Sequence, residues 1–135
     1  MANEAVVIEL GPLGGNPVRR TCASGTAITK GTLMALNDPN TAIAASTLGQ
    51  IFAGIAAADK SASDFATTIP CWTAGVFDIT GAGAGVGVGK LVVMSGANGV
   101  TPAIAGDLLS GGSIVGVAEE AGTTTEVIRV RLKGY

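Results

Sequence analysis

The sequence contains no histidine and few aromatic residues, and both absences restrict the functions it can have. Aromatic residues make up 4 % of its 135 residues. Without an imidazole, the catalytic triads and dyads that use histidine as a general base are excluded. A zinc site would need an unusual set of carboxylate ligands, because histidines and paired cysteines are the usual donors. We therefore expect no catalytic residue, no metal and no cofactor.

Charge is also scarce. Charged residues make up 13 % of the chain, about half of the roughly 25 % typical of soluble proteins, and the net charge is −2. The basic surface that binds phosphate backbones is missing, so nucleic acid is not an expected direct partner. The uncharged stretch at residues 42–58 is interrupted by polar residues and is shorter than the roughly 20 apolar residues of a membrane span. Residues 1–5 carry an acid and do not resemble a secretory signal, so we expect synthesis in a cytoplasm without membrane association.

The remaining candidates for chemistry have simpler explanations. Two carboxylate pairs, Asp59 with Asp64 and Glu119 with Glu120, stand in polar segments and are predicted to be solvated loop charges. The glycine-rich run at residues 81–90 lacks the first glycine and the hydroxyl of a phosphate-binding loop, and is predicted to be a β loop. Cys22 and Cys71 are far apart and belong to no CxxC motif. They are predicted to be reduced, buried thiols, with a disulfide as the alternative.

What the sequence does contain is glycine, 21 residues of it, and an internal repeat. Residues 28–36 align with residues 86–94, which pairs Gly31 with Gly89. An apolar-glycine-apolar-alanine pattern follows each copy, around Gly54 and Gly116, and then a threonine pair enters a strand. Many tight turns and little helix-forming sequence predict β structure. We expect one domain at residues 18–135, a compact β-barrel built from two half-modules at about 25–80 and 81–135.

Two segments show strand-like alternation. At the C-terminal end, Ile128, Val130 and Leu132 alternate with basic residues and predict a strand with one buried and one solvated face. The basic stripe itself is either a solvated face or a docking site for an acidic partner, and it consists of Arg129, Arg131 and Lys133. Near the start, the apolar residues Val6, Ile8 and Leu10 alternate with Val7 and Glu9.

A run of turn-forming residues at 11–17 follows this first strand and separates it from the rest. Residues 1–17 are therefore predicted to be an extended N-terminal arm with a glycine and proline hinge. Helix is weakly indicated, with at most one short helix at residues 105–109. Among the aromatic residues, Phe52, Trp72 and Phe77 are predicted to pack in the core. Phe65 lies in a polar loop, where it either folds back onto the protein or marks a contact surface.

Several segments, in this order and spacing, resemble one known family along nearly the whole chain. They are Met1-Ala-Asn-Glu-Ala-Val-Val-Ile-Glu-Leu, Gly25-Thr-Ala-Ile-Thr-Lys-Gly-Thr-Leu, Phe52-Ala-Gly-Ile-Ala-Ala-Ala-Asp-Lys and Glu126-Val-Ile-Arg-Val-Arg-Leu. The family is that of the capsid decoration, or cement, proteins of tailed phages, which are similar in role to the head-decoration protein of lambdoid phages. The resemblance implies a β-tulip-like fold and no catalytic residues.

The resemblance also implies a location and partners. Such a protein binds the outer surface of the mature capsid, as trimers at three-fold and quasi-three-fold positions, and contacts the major capsid protein and other copies of itself. An N-terminal arm that adds a strand to an exposed sheet edge is a physical means of attachment. The expected arm residues are Ala2, Asn3, Glu4, Val6, Ile8, Leu10 and Pro12. Other expected interface residues are Arg19, Arg20, Phe65, Arg129 and Arg131.

Two other functions remain open. A β module of the phage tail or baseplate would share the virion but not the capsid surface, and it would be present in far fewer copies. A small-ligand or carbohydrate-binding β domain would need a concave site where aromatic and polar groups meet, and the scarcity of aromatic residues argues against it. An enzyme is the least expected class.

Overall fold

The computed structural model describes residues 4–10, 17–81, 85–104, 112–123 and 125–132. These residues form strands and no helix, and the strands are β1 (Val6–Glu9), β2 (Val18–Thr21), β3 (Leu33–Asp38), β4 (Thr41–Ala44), β5 (Phe52–Ala56), β6 (Thr68–Trp72), β7 (Val76–Gly81), β8 (Leu91–Gly96), β9 (Gly99–Pro102), β10 (Ile114–Ala118) and β11 (Val127–Leu132). The short helix expected at residues 105–109 lies outside the described residues. Within the described ranges, no helix is long and apolar enough to cross a membrane.

The strands close into two small barrels. The first barrel has the order β2-β4-β3-β5-β6. The second sheet has the order β1-β7-β11-β10-β8-β9, and an additional pairing of β7 with β9 closes its last five strands into the second barrel. The predicted all-β barrel fold is therefore confirmed, with β1 attached to the outside of the second barrel.

The two barrels have the same topology. In each, the first strand is parallel to the third, β2 to β4 and β7 to β9, and the other pairings are antiparallel. Their hydrogen bonds coincide as well: the Gly31 amide donates to the Ala56 carbonyl, and the Gly89 amide to the Ala118 carbonyl, both at 2.8 Å. The residues that make these equivalent bonds are the ones that the sequence repeat aligns with each other. The second half-module was predicted to start at residue 81. β7 begins earlier, at Val76, but its pairings with β9 and β11 place it in the second barrel.

Left-handed backbone conformations occur at matching turns of the two barrels. Gly31 and Gly89 have φ of 92° and 81° in the turns before β3 and β8. Asn40 and Asn98 have φ of 52° and 54° in the tight turns after those strands. Glycine and asparagine are the residues that adopt this conformation most readily, so the repeat preserves the turn chemistry together with the strands.

Each barrel also has a glycine where two strands approach closely. A Cβ on Gly54 in β5 would lie 2.8 Å from both the Cβ of Cys71 and the carbonyl oxygen of Trp72. A Cβ on Gly116 in β10 would overlap the carbonyl oxygen of Arg131 on β11. The apolar-glycine pattern of the repeat thus permits β5 and β10 to contact the last strand of each barrel.

The larger hydrophobic core combines residues of both barrels. Phe52 and Trp72 from the first barrel pack in the same cluster as Phe77 from the second, and all three are buried, as predicted. A smaller cluster contains Met34, Ile69 and two free, buried cysteines, Cys22 and Cys71. Because the main core is shared, the two barrels form one compact domain.

Candidate interaction surface

The predicted N-terminal strand is present, but its surroundings differ from those of a detached arm. β1 pairs antiparallel with β7, with Val6 opposite Asp78 and Val7 opposite Phe77. Instead of alternating, all four of its residues are exposed, with exposed fractions of 58 % for Val6, 36 % for Val7 and 41 % for Ile8. The edge of β7 supplies main-chain partners within the same chain. β1 is therefore an apolar edge strand of the second sheet.

The residues on either side of β1 are fixed to the protein. The Ala5 amide donates a hydrogen bond of 2.7 Å to the Gly31 carbonyl, and Leu10 packs against the main core. Glu4 accepts a hydrogen bond of 3.5 Å from the side-chain amide of Asn98. Gly31 must be glycine here, because a Cβ would lie 2.5 Å from the Ala5 oxygen. The other expected arm residues, Ala2, Asn3 and Pro12, lie outside the described residues, as does most of the 11–17 hinge.

An open depression of about 470 Å³ lies beside β1, lined by Glu4, Ala5, Val6, Val7, Lys30 and Trp72. The Lys30 ammonium lies 5.6 Å from the centre of the Trp72 ring. Trp72 in turn contacts Phe77, with ring centres 5.4 Å apart. The depression therefore has apolar walls and one charge of each sign, and Trp72 is its single aromatic side chain.

The predicted basic stripe on β11 is exposed, and each described member has an acidic neighbour. Ile128, Val130 and Leu132 are buried, so the alternation of β11 is as predicted. The Arg129 Nε lies 3.9 Å from a carboxylate oxygen of Asp78, and the Arg131 Nε lies 3.2 Å from one of Glu119. Exposed pairs of this kind contribute roughly 0–1 kcal/mol to stability, but they neutralise the surface. Lys133 lies outside the described residues.

The two arginines of β2 have different surroundings. Arg19 is exposed and donates a hydrogen bond of 3.2 Å to the Thr68 hydroxyl. Arg20 is half-buried, and its guanidinium donates to the Ala53 carbonyl at 3.3 Å and to the Asn40 side chain at 3.2 Å. Arg19 is thus available for a partner, whereas Arg20 connects strands within the first barrel.

Phe65 is the most exposed large hydrophobic residue in the described part of the chain, at 74 %, and it has a left-handed φ of 55°. Of the two possibilities left open by the sequence, the structure shows the exposed one. Hydrogen bonds within the loop define its shape, because Asp64 accepts from the amides of Ser61 at 3.1 Å and Ala66 at 2.8 Å. A bulky residue with positive φ is uncommon, which makes this loop a candidate contact site.

A buried lysine lies under this loop. The Lys60 ammonium donates to the carbonyls of Ser24 at 3.0 Å and Thr26 at 2.7 Å, and lies 3.8 Å from Asp64. Its polar sequence context predicted solvated charge for the neighbouring carboxylates Asp59 and Asp64 and did not single out Lys60. A lone lysine in a polar segment gives no signal that it will be buried.

The Phe65 loop is longer than its counterpart in the second barrel. Lys60 and Gly122 form equivalent bridges, to Ile28 and Val86. Seven residues then separate Lys60 from β6, whereas four separate Gly122 from β11. The first copy thus carries three additional residues, and Phe65 lies within this longer loop. The repeat has diverged where it presents an aromatic side chain to solvent.

The structure brings only some of the expected interface residues together. Val6, Asp78 and Arg129 are cross-strand neighbours on β1, β7 and β11, so part of the arm and part of the basic stripe share one face. Arg19, Arg20 and Phe65 belong to the first barrel. Among the described residues, no group of three or more histidine, cysteine, aspartate or glutamate side chains is placed to hold a metal ion.

No protein-family model and no curated protein matches the sequence. Among solved structures, the fold is similar to that of the head fiber gp8.5 N base of bacteriophage phi29. The TM-score is 0.56 at 15 % sequence identity, and the match covers 86 % of this chain and 93 % of that chain. The two proteins therefore share a fold over nearly their whole lengths.

Proposed function

We propose that the protein is a non-enzymatic structural subunit of a phage head, which binds the outer surface of the mature capsid and stabilises it. Its partners are the major capsid protein and further copies of itself, arranged as trimers at three-fold and quasi-three-fold positions. The observation that carries the proposal is the fold shared with the base of a phage head fiber. The resemblance of the sequence to decoration proteins supports the same location.

Two exposed features, strand β1 and the loop at residues 61–66, support a binding role for the protein. β1 presents three apolar side chains to solvent, those of Val6, Val7 and Ile8. The loop at residues 61–66 presents Phe65 in a conformation fixed by Asp64 and Lys60. Ordering these groups before binding lowers the entropy cost of association. Side chains on the face of β1, together with the expected arm residues Ala2, Asn3 and Pro12, would contact the shell, and Phe65 would anchor the first barrel.

Stabilisation of the capsid follows from linkage. A subunit that binds the mature lattice and not its precursor adds its binding free energy to the mature state. Several copies joined to one another bind more strongly than each would alone, because later contacts form at high effective concentration. A charge-poor surface with neutralised arginines limits the desolvation cost of such packing.

The test uses heads that lack the protein, to which purified protein is added back. The proposal predicts saturable binding, hundreds of copies per particle counted by quantitative gel or by image reconstruction, and better survival of heat and osmotic shock. A few copies per particle would instead indicate the tail or baseplate module. Equal survival of decorated and bare heads would overturn the stabilising role.

A further inference from the structure

The first barrel has an open position where the second barrel has a strand. In the second barrel, β7 pairs with β11 on one side, and with β9 and β1 on the other. Its counterpart β2 pairs with β6 on one side, and on the other it reaches β4 only at Thr21. Val18 and Arg19 of β2 correspond to Phe77 and Asp78 of β7. On the side where β1 pairs with Phe77 and Asp78, no described strand pairs with Val18 and Arg19.

The main-chain groups of Arg19 point to this open side. On the β6 side, Arg19 lies opposite Pro70. Pro70 has no amide hydrogen to donate to Arg19, and its carbonyl points away from β2 and accepts from the Ala57 amide at 2.9 Å. Two residues along β2, the Thr21 amide donates to Asn40 at 2.8 Å, on the β4 side. Alternate amides of a strand point the same way, so the Arg19 amide and carbonyl face the open edge. They are positioned as those of Asp78, opposite Val6.

We infer that this edge binds the β1 strand of a second copy of this chain, along the edge of β1 that faces away from β7. Among the described strands, β1 pairs with β7 alone, so its outer edge is also open. The added strand would run antiparallel to β2, as β1 runs antiparallel to β7. Main-chain hydrogen bonds between two open strand edges are an established means of protein association.

Charge and hydrophobicity favour a second copy as the partner. The exposed Glu9 ends the apolar strand β1, whereas β2 carries the exposed Arg19. Opposite charges on adjacent strands stabilise their pairing, and like charges oppose it. Val18 is 40 % exposed on β2 and would meet the exposed valines of β1. The two edges are thus complementary in charge and are both partly apolar.

Because the two edges are different surfaces, the contact is head-to-tail. Contacts of this type generate closed rings when the rotation between copies closes, and open chains when it does not. A ring of three would supply the trimer of the proposed function, but the inference does not depend on capsid binding. If the protein associates through these edges but does not bind phage heads, the proposed function is refuted and this inference is not.

Sedimentation equilibrium of the full chain over a wide concentration range tests the contact. We expect reversible association that weakens with salt. Glu9→Arg and Arg19→Glu should each weaken it on the order of tenfold or more, since each gives the two pairing strands charges of the same sign. The combined variant restores opposite charges and should recover the association. Lys90→Glu is the control for Arg19→Glu, because it also replaces a positive by a negative charge. It lies in the turn before β8, outside both strands, and should leave association unchanged.

A main-chain readout separates strand pairing from simple charge attraction. Hydrogen exchange of the Arg19 amide should slow as protein concentration rises, because that amide gains an acceptor in the associated state. Arg19→Pro removes the donor on the open side while keeping the pairing with β6, and should abolish association with the fold intact by circular dichroism. A monomer at the highest soluble concentration, or single charge variants that associate like the original chain, would overturn the inference.

Discussion

The side-chain oxygen of Asn98 accepts a hydrogen bond of 3.0 Å from the backbone amide of Leu33, and this bond joins the two barrels. Asn98 lies in the turn between β8 and β9, whereas Leu33 begins β3. Both residues are buried. The counterpart of Asn98 in the first barrel, Asn40, is exposed and accepts a hydrogen bond from Arg20 instead. The same turn residue thus joins the barrels in one copy and stabilises the surface in the other.

Replacement of Asn98 by glycine should therefore destabilise the protein. Glycine retains the left-handed turn but removes the acceptor, which leaves the Leu33 amide buried without that partner, at a cost of about 1–3 kcal/mol. Asn40→Gly is the matched control and should change the unfolding free energy by less than about 0.5 kcal/mol, as is usual at exposed sites. Urea unfolding measures both. Equal losses would show that the bond between barrels contributes little.

Gly116→Ala should be far more damaging than an ordinary glycine replacement. The new Cβ would meet backbone atoms of β11, the Arg131 carbonyl oxygen and the Leu132 Cα at 2.9 Å, which move only if the strands separate. We expect a loss of about 3 kcal/mol or more, or failure to fold, because overpacking at a backbone contact has no soft neighbour to absorb it. Gly25→Ala, where nothing lies within 4 Å, should be nearly neutral. A mild effect of Gly116→Ala in thermal unfolding would contradict the close approach of β10 and β11.

Cys71 should make stability fall at alkaline pH. Burial in the first barrel raises the pKa of its thiol from 9.0 to about 12, although nearby Arg20 acts in the opposite direction. Between those values the unfolded chain has lost the proton and the folded chain still holds it, so each step up in pH favours unfolding. The contribution is intact below about pH 9 and is lost as pH rises towards about 12.

The comparison that isolates this effect is Cys71→Ala. That variant should be less stable near neutral pH, because it leaves a small cavity, but its unfolding free energy should decline less steeply between pH 9 and 12. Denaturant titrations at several pH values give the two slopes. Parallel slopes would show that Cys71 does not cause the alkaline decline.

Phe65 should contribute to binding but not to folding. Phe65→Ala removes an exposed ring, so unfolding should be almost unchanged, while affinity for bare heads should fall by about 30-fold if the ring is a central anchor. Leu48→Ala, at a similarly exposed residue in another loop, is the control and should bind as the original chain does. Binding by Phe65→Ala at full affinity would remove this loop from the capsid contact.

The parts of the fold that could be predicted from the sequence are those encoded by local spacing. The alternation of Ile128, Val130 and Leu132 defines which face of β11 is buried, because successive side chains of a strand point in opposite directions. The repeat of Gly31 and Gly89 marks equivalent turns, since both require a conformation that glycine adopts easily. These signals need no knowledge of distant partners.

The parts that could not be predicted depend on pairing between distant segments. Nothing in the first ten residues shows that β1 will find its partner in β7, or that all four of its side chains will stay exposed. Lys60 and Arg20 look like surface charges, yet they bond to carbonyls that only the closed barrel brings near. The partners of Arg129 and Arg131 likewise lie on other strands or loops.

The pairing of β1 with β7 also orders events during synthesis. The strands of the first barrel lie between residues 18 and 72, so that barrel can close before β7 leaves the ribosome. β1 is made before the first barrel but has no strand partner among the described strands until Val76–Gly81 has emerged. For that interval an apolar strand with two open edges is carried by the nascent chain, a state in which strands from neighbouring chains pair readily. The capture of β1 by β7 thus comes after the first barrel can close, although β1 precedes that barrel in the chain.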